Sequence, residues 1–173
     1  PFWQPSAEVV ASLAEVDLIV ANGAGFERWM AAATLPGSRV VDTSAGLELI
    51  EIEGRTHSHG ARSEHSHAGI DPHTWSDPVG YAQQARAVHD ALVVADPDGA
   101  EAYGASLATL TGELEALDAA FRPILAQLKA RPLTASHPAF NYLARRYGLT
   151  VRSFDFDPEE VPDPDALAEF ESW

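Results

Sequence analysis

Asp17-Leu18-Ile19-Val20-Ala21-Asn22-Gly23-Ala24-Gly25 decides the fold class. From Asp17 to Ala21 the run is apolar without alternation, as a strand buried in a parallel sheet reads, and Asn22 to Gly25 breaks it. On its amino side, Ser6 can cap a helix running to about Val16, with Val9, Val10, Leu13 and Ala14 on one face. On its carboxyl side, Phe26 to Ala33 suits a short helix, Pro36-Gly37 turns the chain, and Arg39-Val-Val-Asp42 reads as a second strand. Helix, strand, helix, strand with short connections predicts α/β architecture around a parallel sheet. A strand ahead of Ser6 is expected and is missing from the sequence.

Farther out, residues 51–69 interrupt this pattern. The stretch carries one large apolar residue and four histidines, His57, His59, His65 and His67, so it cannot pack a core and reads as a mobile loop. Order returns at Asp71-Pro-His-Thr-Trp-Ser-Asp77-Pro78, where Asp77 as cap and Pro78 at the first helical position start a helix to about Val94. Leu107, Leu110, Leu114, Leu117, Phe121, Leu125 and Leu128 then form one apolar seam. A helix over residues 98–130 would be ~50 Å long at about 1.5 Å per residue. Pro123 is expected to bend or split it. Pro132 to Ser136 reads as a strand, Pro138 to Tyr147 as a helix closed by Gly148, Leu149 to Phe154 as another strand, and Asp163 as the cap of a last helix.

Composition bounds the chemistry. The 173 residues contain no cysteine, which removes disulfides, thiolate metal sites and cysteine nucleophiles. With 26 acidic against 11 basic residues the formal charge is −15, which argues against nucleic acid or an anionic membrane surface as partner. No apolar run approaches the roughly 18 to 20 residues that span a bilayer. The chain opens without an initiator Met or a signal segment and stops inside a predicted helix, so a trimmed chain or fragment is expected.

His73 and His137 share a context: each lies just ahead of a predicted helix that begins with proline. His137 also follows a predicted strand, which places it at the carboxyl edge of a parallel sheet, where ligand crevices form. A neighbouring helix N-terminus disfavours imidazolium, and neutral imidazole is the form that binds metal. Metal binding, a structural role and a general base all remain open for this pair. The His-x-His pairs at 57/59 and 65/67 can collect zinc, copper or nickel, or else belong to a solvated linker or a tag remnant. Nitrogen donors without thiolates favour zinc over magnesium or calcium. His89 lies mid-helix with no ligand-type neighbour one turn away and reads as structural. Gly23-Ala24-Gly25 lacks the third glycine of a dinucleotide fingerprint and reads as a turn. No G-x-S-x-G accompanies Ser136-His137, and the acids from Asp155 to Glu171 read as a solvated face.

Taken together, Asp17-Leu-Ile-Val-Ala-Asn-Gly23, Gly69-Ile-Asp-Pro-His-Thr-Trp75, Ala95-Asp-Pro97, Ala135-Ser-His-Pro-Ala-Phe140 and Tyr142-Leu-Ala-Arg-Arg-Tyr-Gly148 resemble the substrate-binding proteins of bacterial ABC importers for zinc and manganese, cluster A-I. The resemblance covers nearly the whole chain in the family's order. It implies a Rossmann-like α/β lobe (1–97, lacking its first strand), a long linking helix (98–130) and the start of a second α/β lobe (131–173). It implies a periplasmic or lipid-anchored receptor that is no enzyme. Such a receptor binds one metal ion between its lobes and hands it to a membrane permease. The second and third ligands of the family fall on His73 and His137. Histidine at the third position speaks for zinc, and the histidine-rich stretch, with His57, His59, His65 and His67, falls where zinc members carry an auxiliary loop. In the family the first ligand lies just ahead of the stretch corresponding to Trp3-Gln4-Pro5, where the match begins with Pro5-Ser6 and the following helix, and the fourth, a carboxylate, lies in the second lobe, so the resemblance implies that two of four ligands fall within this chain.

The expected function is zinc capture in the periplasm and delivery to an ABC-type permease, with a periplasmic metal donor as a further partner and the protein a monomer. A zinc hydrolase with an open coordination position and a metallochaperone using only the histidine-rich loop are the rivals.

Overall fold

In the computed structural model, which describes residues 3–52, 56–58, 64–66, 69–154, 156 and 161–173, helix α1 spans Ala7–Leu13. The Ser6 hydroxyl caps it by accepting the Val9 N–H at 3.4 Å, and the Arg39 guanidinium donates to Ala14 O and Val16 O just past its end. Strands β1 (Ile19–Ala21) and β2 (Val40–Asp42) pair in parallel, Ile19 opposite Val40 and Ala21 opposite Asp42. Ile19 and Ala21 are buried, but Val20 between them is 47% exposed. The apolar run therefore buries one face rather than the two its composition suggests. The crossover carries short 3-10 turns at Arg28–Ala32 and Gly37–Arg39 where an α-helix over 26–33 was expected. Glu27 at its start spends its carboxylate on the N–H groups of Asn22 and Gly23 and leaves the helix uncapped.

Residues 51–69 are not wholly a loop. Strand β3 (Glu51–Ile52) pairs antiparallel with β6 (Gly69–Ile70), and β4 (Thr56–Ser58) with β5 (Glu64–Ser66). Backbone hydrogen bonds carry this pairing, and an argument from apolar content does not see them. The Asp71 N–H donating to Ile50 O at 2.8 Å continues the bonding toward the next segment.

Helix α2 (Pro78–Ala95) starts as the sequence predicts, with Asp77 Oδ1 accepting the Val79 N–H at 2.9 Å and Pro78 at the first position. A 3-10 turn at Pro97–Gly99 leads into α3 (Ala100–Ala126), which folds back along α2 and buries Leu114 of the apolar seam. Pro123 does not split α3: the helix runs on to Ala126. Pro123 lacks the N–H that would bond Ala119 O, yet the helix continues for three residues beyond it and ends in the shorter bonds Gln127 N–H to Ile124 O and Leu128 N–H to Leu125 O.

A second parallel pair, β7 (Leu133–Ala135) and β8 (Val151–Ser153), is connected through α4 (Asn141–Tyr147). Helix α4 begins three residues later than Pro138. Ala139 N–H bonds back to His137 O at 2.8 Å, so Pro138 sits in a tight turn, and the first helical bond is Ala144 N–H to Phe140 O. Gly148 closes α4 with φ +64°, and Leu149 N–H reaches back to Ala144 O. Helix α5 (Pro164–Ser172) is capped by Asp163, which accepts the N–H groups of Asp165 and Ala166.

An ion network joins these parts. Asp118 of α3, buried, accepts hydrogen bonds from Arg122, from Arg146 and from the Tyr147 hydroxyl of α4. Arg146 also lies 3.5 Å from Asp77 at the start of α2. The Arg146 hydrogen bond, outweighing burial, holds the Asp118 carboxyl well below the usual carboxylate range. Burial, then the bond to Asp118, pushes the Tyr147 hydroxyl up to about 12. Among the described residues no helix is long and apolar enough to cross a membrane.

Candidate metal centre

His73 and His137 come together. Their rings meet edge to face with centroids 5.1 Å apart. His137 lies two residues beyond the carboxyl end of β7, at the sheet edge the sequence predicts. His73 precedes a short 3-10 turn, Thr74–Ser76, that leads into α2. The helix N-terminus expected directly behind His137 is farther off, because α4 starts at Asn141.

Asp71 orients His73. It is fully buried, and its Oδ1 lies 2.7 Å from His73 Nδ1 and accepts the His73 backbone N–H at 2.9 Å. A buried carboxylate facing Nδ1 fixes the proton there and presents Nε2 as a lone-pair donor. Its other oxygen accepts from Asn141 Nδ2 at 2.9 Å. Trp75 packs edge-on against both His73 and Phe26, forming an aromatic wall beside the imidazole.

From the side of the first sheet, a buried polar network grips the same segment. Thr74, fully buried, donates to Gln84 Oε1 at 3.0 Å; Gln84 Nε2 donates to Thr43 Oγ1 at 2.9 Å; Asn22 Nδ2 donates to Pro72 O at 3.0 Å. Asn22 is placed by the turn after β1, where Gly23, Ala24 and Gly25 all have positive φ. A Cβ on Gly23 would stand 1.7 Å from Asp42 Oδ1, so only glycine fits. The turn's first N–H groups are taken by Glu27, which leaves them unavailable to a phosphate.

The ring spacing is the one quantity here that bears on a shared ion. With Zn–N near 2.1 Å and a tetrahedral angle, two imidazoles on one ion have ring centroids roughly 5 Å apart. Two neutral nitrogens cannot complete such a sphere, and among the described residues no group of three or more His, Asp or Glu is arranged to hold an ion. A cavity of about 410 Å³ between β1, α2 and α3, walled by Val20, Val88, Leu92, Tyr103 and Leu107, does not include either histidine. His89 lines that cavity, with its Nδ1 2.9 Å from Asp90 Oδ1. His57 and His65 are Cα partners in the β4–β5 pairing, whereas His59 and His67 lie outside the described residues.

Sequence reasoning singled out the two histidines but not Asp71, Asn141, Thr74 or Gln84 as their supports. The available signal was Asp71 two residues ahead of His73, a spacing at which a carboxylate can fold back onto the imidazole of the same turn. Nothing in the sequence pointed to Gln84 or Asn141, whose partners are distant in the chain.

A family model described as zinc-uptake complex component A, periplasmic (ZnuA), matches residues 2–172. The high-affinity zinc uptake system protein ZnuA of Bacillus subtilis is 31% identical over 178 residues, covering 99% of this chain and 56% of the relative. The zinc-binding lipoprotein AdcA of Streptococcus pneumoniae is 31% identical over 175 residues, covering 96% of this chain and 34% of the relative. The crystal structure of Zn(II)-bound AdcA from Streptococcus pneumoniae superposes with a TM-score of 0.77 at 26% identity, over 99% of this chain and 35% of that one. The chain thus spans about a third to just over half the length of these curated relatives.

Proposed function

Because the chain belongs to the ZnuA family of zinc-uptake components, we propose that it captures zinc outside the cytoplasm and delivers it to the permease of an ABC-type importer. Zinc is cargo: it is held by His73 and His137 through Nε2, together with ligands beyond these two, and is released intact. The observation that carries this reading is the 5.1 Å spacing of the two imidazoles, with Asp71 orienting one of them. A nitrogen-rich, thiolate-free pair favours zinc over the harder cations. Residues 1–97 and 131–173 belong to two α/β lobes joined by the helical stretch 98–130, and the ion sits where the lobes meet. The protein works as a monomer in the periplasm, and residues 51–69, with His57, His59, His65 and His67, act as an auxiliary collector that accepts zinc from a donor.

The family match is to an uptake component and lends nothing to the hydrolase rival. The reading is tested by competing zinc between a chromophoric chelator and the intact protein. His73→Ala is expected to lose tight binding, and unchanged affinity in that variant would sink the proposal.

A further inference from the structure

The histidine pair is held from the opposite half of the chain by a device that capture alone does not require. Asn141 and Tyr142 open α4, four and five residues after His137. Asn141 Nδ2 donates to Asp71 Oδ2 at 2.9 Å, and the Tyr142 hydroxyl donates to the Asp71 backbone O at 2.8 Å. That hydroxyl in turn accepts the Ile50 N–H at 3.1 Å, which ties in the base of the β3–β6 pairing. Asp71 is 0% and Tyr142 2% exposed, so these bonds form out of water, where leaving a partner unpaired is costly.

One helical turn therefore does two things. The segment that leads into it carries His137, and its own first side chains grip the carboxylate that aims His73. We infer that Asn141 and Tyr142 are positioning residues for the metal pair. Acting through Asp71, they fix the orientation of His73 and its distance from His137, so that the spacing is set by the fold before an ion arrives. Neither residue touches the ion. The inference rests on the zinc reading above, since the pair must ligate for its spacing to matter.

A structural brace and a positioning residue differ in what they leave behind. If Asn141 only braced the fold, Asn141→Leu would lower the unfolding midpoint and leave the His73 ring as it was. If it positions, the loss appears at the ring. In the metal-free intact protein, long-range ¹H–¹⁵N NMR is expected to show His73 with its proton on Nδ1. In Asn141→Leu the same ring is expected to show a mixture of tautomers, zinc affinity by chelator competition falls about 10-fold, and the visible spectrum of bound Co²⁺ shifts. Tyr142→Phe, which keeps the ring and removes only the hydroxyl, is expected to show the same changes in smaller measure.

His73→Ala and His137→Ala run in the same assay separate the two claims. If either keeps tight zinc binding, the zinc reading itself fails. If both lose it while Asn141→Leu and Tyr142→Phe bind zinc and Co²⁺ as the wild type does, only the positioning inference is overturned. Should Asn141→Leu fail to fold, Tyr142→Phe and the wild-type spectrum decide. A wild-type His73 protonated on Nε2 overturns the inference, because the link through Asp71 is then absent.

Discussion

Two histidine-bearing regions of this chain are built in opposite ways. The segment around His73 contains two fully buried polar residues, Asp71 and Thr74, and is bonded on one side to Asn22 and Gln84 and on the other to Asn141 and Tyr142. Residues 51–70 hold four histidines and, where described, are joined by short backbone pairings. The difference teaches that the count of imidazoles does not make a site. Tight ligation needs rings whose rotamers and tautomers are settled in advance, because otherwise the ion must order them at its own expense.

That contrast can be broken, and the largest blow falls on the braced pair. His137→Ala is expected to weaken zinc binding about 1,000-fold, roughly 4 kcal/mol, since on the proposed reading it removes one of a small ligand set; isothermal titration with a competing chelator measures it. Next comes the joint behind the brace. Asp118→Ala leaves Arg146 partly buried without its main partner and is expected to cost about 3 kcal/mol of stability in urea unfolding.

The same joint makes a pH prediction. The Asp118 carboxyl is depressed in the folded state, so its stabilisation is present above the unfolded value of about 3.9 and is lost as pH falls below it. Tyr147 is raised, so its share is present below about pH 10 and is lost as pH rises toward 12. Unfolding midpoints followed across both limbs are expected to flatten on the acid side in Asp118→Ala.

Asp71→Ala should cost zinc affinity between about 10- and 100-fold through misorientation of His73, with the ligand count unchanged. Gln84→Leu, which leaves Thr74 and Thr43 short of a partner in the buried network, is expected to destabilise the fold by about 1 to 2 kcal/mol. The smallest effect is assigned to the other region: removing residues 55–67 should change the tight affinity by less than about threefold while lowering the number of weakly bound ions.

Much of the frame was legible because local chemistry dictates it. Asp77 with Pro78, Asp163 and Gly148 mark helix ends through capping and a left-handed residue, and these act over a few positions. The carboxyl-edge position of His137 followed from one strand and its direction. What escaped depended on partners far away in the chain. Asp71 meets Asn141 across 70 residues, and Thr43 meets Gln84 across 41, and no periodicity records such pairings. Pro123 misled: it does not split α3, since the loss of one ladder bond leaves the turns on either side of it paired. Pro138 misled in the other direction, since its fixed φ serves equally well to turn the chain behind His137 as to start a helix. The pairing within residues 51–70 escaped because backbone bonds need no apolar side chains.

The central claim is that zinc is held by the braced pair and not by the histidine-rich stretch. The most direct measurement is the tight zinc stoichiometry of the intact protein lacking residues 55–67, taken by chelator competition with and without His137→Ala. One tightly held ion that survives the deletion and disappears with His137→Ala is the predicted result. Loss of the tight ion on deletion alone, or its persistence in His137→Ala, would contradict the account.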